Sequence, residues 1–264
     1  MATRLGVVSY LNTKPLVYAF ESGELVHPFD LIYAVPSFCA DQLHAGRTDL
    51  ALIPSIEIAR SPEPYLVVRG VGIGSIGPVR SVLLVLNKEP EDIRSLALDI
   101  SSRTSVALSQ VVLNKQFGVR PEVFTSAPDL ETMLSKADAA LLIGDSALEL
   151  DVQKYRILDL GEAWTKLTGL PFVYACWTGR PGALTIPEMD LLSKAKEAGV
   201  LHIPEIASKF SDTASLTQAF YADYLSHHIK FDLGEMELEG MNRFYAYATE
   251  MGLIEARPEI RFYS

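Results

Sequence analysis

Apolar residues in this chain fall into short runs, and between them the apolar positions recur at helical spacing. Leu5 to Val8 is a short continuous apolar run, the pattern of a buried strand. Pro15 then suits the first turn of a helix, with Asn12 or Thr13 placed to cap it. Leu31 to Val35 predicts a second strand and Ser37 to Ala45 a helix, with Ser37 as its N-cap and Gly46 as its stop. Asp49 to Ile53 predicts a third strand. This β-α-β-α-β order implies a parallel sheet flanked by helices.

Residues 64–87, "YLVVRGVGIGSIGPVRSVLLVLN" and its flanks, are strand-rich. A second βαβ series follows: strand 96–100, helix 103–117 ended by Gly118, strand 122–125, helix 128–135 and strand 139–143. Further on come a short helix 146–151, strand 156–158, helix 161–168 and an apolar strand over 171–181. Everything after Pro187 shows helical spacing. Two βαβ series joined by strand-rich crossings predict two lobes with a hinge and a cleft between them. On this reading residues 1–81 and 183–264 make one lobe and 82–182 the other.

Composition narrows the function. Of 264 residues, 48% are hydrophobic, enough for a sizeable core. A formal net charge of −10 argues against nucleic acid and anionic membrane as partners. An anionic ligand would need local donors. The two cysteines, Cys39 and Cys176, sit alone in apolar contexts and read as buried thiols. The five histidines show no ligand spacing, so neither a metal nor a cofactor is expected. The first apolar stretch is too short for a signal peptide, and no segment has the length of a membrane helix, which places the protein in the cytoplasm.

In open α/β sheets, ligands bind beyond the C-terminal ends of the strands. Ser9 and Asn12 lie just past the first strand. "DISSRTSVALSQVVL" places Ser101, Ser102, Thr104 and Ser105 at a helix start, where free N–H groups and hydroxyls suit an oxyanion. Arg103 adds a bidentate charge there, or else pairs with Asp99. Ser55, after strand 49–53, is either a cap or a ligand contact. Asp145, in "LLIGDSALEL", is either an N-cap or a carboxylate in the cleft. "GIGSIG" at 72–77 fits G-x-G-x-x-G, but no helix follows it, so a dinucleotide site is not expected. The aromatic-rich "MNRFYAYATEM" reads as a core-facing helix.

"SYLNTKPL", "GRTDLALIPS", "GDSAL" and "DLGEAWTKLTGLPFVYACW", in that order, resemble the MqnA family. These are chorismate dehydratases of the futalosine route to menaquinone. The resemblance runs from about residue 4 to the C-terminal helices. It implies an α/β fold like the type II periplasmic binding proteins, two-lobed with a ligand cleft between the lobes. It also implies loss of water from chorismate, giving 3-[(1-carboxyvinyl)oxy]benzoate. The sister family MqnD carries a histidine at the place of Gly144, so Gly144–Asp145 favours the dehydratase. The site expected on this basis has Asn12 and Asp145 in the chemistry. Ser9, Ser55, Ser102, Arg103, Thr104, Ser105 and Gly144 would surround a dianionic substrate. The substrate's own enolpyruvyl carboxylate is the alternative base. Two rivals stay open: a small-anion-binding protein of the same fold, and the sister lyase. The assembly is expected to be a monomer, or a homodimer through the C-terminal helices.

Overall fold

The computed structural model describes residues 2–61 and 63–264. In the first part of the chain, β1 (Thr3–Val8), α1 (Lys14–Glu21), β2 (Phe29–Ala34), α2 (Pro36–His44), β3 (Leu50–Pro54), α3 (Ile56–Arg60) and β4 (Leu66–Ser75) follow in order. The next part holds β5 (Val82–Leu86), β6 (Ser95–Asp99), α4 (Thr104–Phe117), β7 (Glu122–Ser126), α5 (Leu130–Leu134), β8 (Ala139–Ile143), α6 (Gly144–Leu148), β9 (Arg156–Asp159) and α7 (Leu160–Thr168). Last come β10 (Phe172–Gly179), α8 (Ile186–Leu201), α9 (Ile203–Ser211), α10 (Gln218–Asp223), α11 (Glu235–Glu250) and β11 (Arg261–Phe262).

The strands form two sheets, one per lobe. The first has the order β11-β4-β10-β3-β1-β2 and the second β7-β6-β8-β5-β9. Strands β1, β2 and β3 run parallel, as do β6, β7 and β8. Neither sheet is wholly parallel, however. β10 is antiparallel to β3 and β4, and β5 is antiparallel to β8 and β9. These two strands follow the crossings, so each enters its sheet from the opposite lobe. The pairing of β10 also moves the expected lobe boundary: the chain returns to the first sheet before Phe172, not near 182. Phe172–Gly179 is buried at every position, and a continuous apolar run cannot say which sheet it joins. The C-terminus holds a further difference, since β11 pairs with β4 after the helices end.

Both crossings are fixed. The Asp159 carboxylate accepts the N–H groups of Val79 (3.1 Å), Arg80 (2.7 Å), Gly161 (2.9 Å) and Glu162 (3.1 Å). Arg80 is held with φ at 63°, a conformation that costs an L-residue about 1–2 kcal/mol and that the Asp159 bonds offset. On the return path Trp164 is fully buried against Phe172 and Phe244, and its indole N–H donates to the Pro171 carbonyl at 3.1 Å. The C-terminal helices cover the first sheet. Where α8 crosses α1, a Cβ at Gly199 would stand 1.9 Å from the Pro15 carbonyl oxygen, so the two backbones meet directly. Among the described residues, no helix is long and apolar enough to cross a membrane.

Candidate active site

The parallel strands of both sheets point their C-terminal ends at the same gap. There a cavity is lined by Val8 and Pro54 from one sheet and by Ile143 and Gly144 from the other. Its polar wall groups are Tyr10, Asn12, Ser81, Ser102, Thr104, Ser105 and Tyr174. Among the described residues no Lys, Arg, Asp or Glu lines it. The free space is about 60 Å³, far below the ~300–1,000 Å³ of sites that hold drug-sized ligands. A ligand of that size therefore requires the lobes to part. Wider grooves, such as one of about 690 Å³ beside Leu201 and Phe231, lie away from the strand ends.

The lobes are shut on each other by bonds that cross the gap. Ser37 N–H donates to the Ser101 carbonyl at 3.1 Å, and Ile56 N–H to Thr104 Oγ1 at 3.2 Å. Leu11 N–H donates to Asp145 Oδ1 at 3.0 Å. Arg103 reaches across to Glu57 (2.7 Å) and Asp41 (2.6 Å). Burial pushes the Glu57 carboxyl up, but His44, Arg103 and Arg60 together hold it below its ordinary value.

Of the residues expected from sequence, Asn12, Ser102, Thr104, Ser105 and Gly144 share the cavity wall. The other four stand off it. Ser9 is exposed, and its hydroxyl leans on the Ala34 carbonyl at 3.3 Å. Ser55 is fully buried behind Thr104: its hydroxyl donates to the Val173 carbonyl at 2.8 Å and lies 3.4 Å from Thr104 Oγ1. Arg103 is occupied by Glu57 and Asp41 and does not pair with Asp99. Asp145 is tied to Leu11. None of Ser37, Ser55 and Asp145 caps a helix with its side chain. Ser37 and Asp145 sit inside the first turns of α2 and α6, and their polar groups bond across the gap instead.

At the start of α4 the first intrahelical bond runs from Ala107 N–H to the Arg103 carbonyl. The N–H groups of Thr104, Ser105 and Val106 precede that ladder, at the positive end of a helix of 14 residues. Beside them stand the hydroxyls of Ser102, Thr104 and Ser105. This end of the cavity donates hydrogen bonds.

Two further wall groups, Ser81 and Tyr174, carry no mark in the sequence. Tyr224 donates to Ser81 Oγ at 2.8 Å, and Tyr174 and Ser75 share a hydrogen bond at 3.0 Å. Burial raises both phenols well above their ordinary range, so they remain neutral. Ser81 follows the crossing Gly77–Arg80 and Tyr174 sits mid-strand, so no helix-start or motif signal marks either. Gly144 has a φ of 63°, and a Cβ there would lie 2.7–2.8 Å from three carbons of the Tyr10 ring. Burial pushes Asp145 up to about 6; the Leu11 N–H pulls it down, Glu149 pushes it up and Lys14 pulls it down.

A family model described as menaquinone biosynthesis matches residues 3–250. The chorismate dehydratase of Thermus thermophilus is 26% identical over 271 residues, which is 94% of this chain and 95% of its own length. The chorismate dehydratase of Campylobacter jejuni is 33% identical over 177 residues, 64% of each chain. Among solved structures, a protein from Archaeoglobus fulgidus superposes with a TM-score of 0.76 at 16% identity, covering 95% of this chain and 98% of its own. The periplasmic aliphatic sulphonate binding protein of Escherichia coli superposes with a TM-score of 0.65 at 18% identity, covering 99% and 92%. A Candida albicans protein described as exhibiting the generic periplasmic binding protein fold does so with 0.70 at 11%, covering 100% and 98%. At these identities the likeness is one of fold.

Proposed function

The chain belongs to the menaquinone-biosynthesis family, and on that premise we propose that it is a chorismate dehydratase, converting chorismate to 3-[(1-carboxyvinyl)oxy]benzoate and water. The observation that carries the reading is the likeness to the Thermus chorismate dehydratase along nearly the whole of both chains. A cavity walled by neutral donors at facing strand ends supports it, because such a site suits a small anion without further charge. The reaction fits the futalosine route and a cytoplasmic enzyme.

Chorismate loses the ring hydrogen beside its ether and the neighbouring hydroxyl. That hydrogen is vinylogous to the ring carboxylate, so negative charge grows towards the carboxylate as the C–H bond breaks. Carboxylate anchoring at the α4 N–H groups and the Ser102, Thr104 and Ser105 hydroxyls would meet that charge with preorganised donors. Expulsion of hydroxide then completes an aromatic ring, and its proton makes water. The departing hydrogen and hydroxyl share a face, so one acid–base group can serve both steps. We assign Asn12, on the cavity wall beside Tyr224, to the reacting hydroxyl. The proton step falls to the substrate's own enolpyruvyl carboxylate, or to Asp145, which burial raises to about 6 and which would have to leave the Leu11 N–H to reach the substrate. Ser55 and Arg103 would act indirectly, through Thr104 and through lobe closure. Closure would exclude water from the reacting centre.

The sister activity is disfavoured by the site. A histidine at 144 would need both a left-handed backbone and the space that the Tyr10 ring fills. Incubating purified protein with chorismate and separating the products by chromatography tests the proposal. The enzyme should deplete chorismate and accumulate the benzoate product. Chorismate recovered intact, bound or free, would overturn it.

A further inference from the structure

Tyr10 stands in the first lobe, directly after β1, yet its hydroxyl bonds to the second lobe and its ring packs on Gly144 there. Its ring fills the slot left by the missing side chain of Gly144. Its hydroxyl lies 3.1 Å from Ser101 Oγ. Ser101 in turn directs both its backbone N–H (2.8 Å) and its hydroxyl (2.6 Å) at a single oxygen, Oδ1 of Asp99. Asp99 is 1% exposed.

The direction of this chain of bonds is fixed from its buried end. Two donors on one carboxylate oxygen make that oxygen an acceptor, so the Ser101 proton is committed to Asp99. Ser101 Oγ can then only accept from Tyr10, which commits the Tyr10 proton as well. What the Tyr10 oxygen has left is a lone pair, and Tyr10 lines the cavity. Burial and the charges of Asp99 and Asp145 raise the phenol, although the Ser101 bond lowers it, so the group stays neutral.

From this geometry we infer that Tyr10 is a specificity-determining residue: a hydrogen-bond acceptor, set by Ser101 and Asp99 and completed only when the lobes meet, that selects a ligand hydroxyl in the cavity. The cavity thus carries two kinds of group. The α4 start donates to carboxylates, whereas the Tyr10 oxygen, held beside it by Ser101, accepts from a hydroxyl and repels a carboxylate turned towards it. A substrate bearing both groups is sorted by which of them meets the Tyr10 oxygen. The inference rests on the dehydratase reading for the identity of that substrate, whose hydroxyl is the group lost in the reaction. The product lacks it.

Substrate and product therefore form a matched pair of probes. Tyr10→Phe keeps the ring in its slot and removes the acceptor. Its kcat/KM for chorismate is expected to fall about tenfold or more, the usual consequence of stranding a buried polar group. Its inhibition constant for 3-[(1-carboxyvinyl)oxy]benzoate is expected to stay within about twofold of wild type, since the product makes no such bond. Ser101→Ala frees the Tyr10 proton to point into the cavity and should weaken discrimination between the two ligands in the same direction. Equal loss for both ligands in Tyr10→Phe would mean that Tyr10 only shapes the wall. No loss for either would mean that its oxygen meets no ligand. Either result overturns the inference. Failure of the wild type to convert chorismate would instead overturn the dehydratase reading. Calorimetric titration of the same two ligands into wild type and Tyr10→Phe would then still decide the role of Tyr10, and binding of neither ligand would reject it.

Discussion

Asp145, on the second lobe, accepts the backbone N–H of Leu11, on the first, at 3.0 Å. The bond joins the turn after β1 to the first turn of α6 and makes one carboxylate part of the lobe closure. Burial lifts Asp145 to about 6, so the folded protein binds its proton more tightly than the unfolded chain does. Below about pH 4 both states are protonated and the group is neutral to stability; as pH rises to 6 the folded state loses ground. Asp145→Asn keeps an acceptor for Leu11 and removes the charge. At pH 7–8 it is expected to unfold about 2–4 °C above wild type, and the gap should close by pH 4. Thermal scans at both pH values check this, and an equal gap at both would contradict it. If Asp145 also moves the proton, the same variant loses the limb of the rate profile near pH 6.

Gly144→Ala sets a methyl group against the Tyr10 ring and keeps φ at 63°. A loss of about 2–5 kcal/mol is expected from overpacking and backbone strain together. In a Tyr10→Ala background the clash disappears, and only the left-handed strain of about 1–2 kcal/mol should remain. Denaturant unfolding of the four chains measures the coupling. Additive losses would mean that the ring and the glycine are independent.

Thr104 Oγ1 accepts the Ile56 N–H across the gap while the residue lines the cavity. Thr104→Val keeps the shape and strands that N–H, at an expected cost of about 1–3 kcal/mol and most of the activity. Thr104→Ser retains the oxygen and should keep both. Urea titration with parallel turnover assays distinguishes them. Full activity in the valine variant would remove Thr104 from ligand binding.

Arg103 separates two roles that the sequence could not. Bound to Glu57 and Asp41, it is a clasp between lobes. Arg103→Met should raise KM by favouring the open form and leave kcat at saturation nearly unchanged; small-angle scattering should report a larger radius without ligand. A collapse of kcat with no change of shape would place the guanidinium on the substrate instead.

Much of this arrangement was legible in the chain because strand ends and helix starts are local features. The run Leu5–Val8 and the hydroxyl cluster at 101–105 bring Asn12, Ser102, Thr104 and Ser105 to one cavity from the two lobes, as their positions past strand ends imply. What escaped depended on distant partners. From sequence Arg103 is either a charge on the ligand or a partner of nearby Asp99, whereas Glu57 and Asp41 reach it only through the fold. From sequence Ser55 is either a cap or a ligand contact, but the Val173 carbonyl that takes its proton comes from β10, more than a hundred residues on. Tyr174 and Ser81 gave no signal, because a strand hides which of its faces borders a cavity. The lobe assignment of β10 failed for the same reason.

The most direct test of the central claim is a crystal structure with 3-[(1-carboxyvinyl)oxy]benzoate bound. The ring carboxylate should lie within hydrogen-bond distance of the Thr104 and Ser105 N–H groups, between lobes joined by the Leu11–Asp145 and Ile56–Thr104 bonds. A product held by Arg103, or seated outside the gap between the two sheets, would contradict the account.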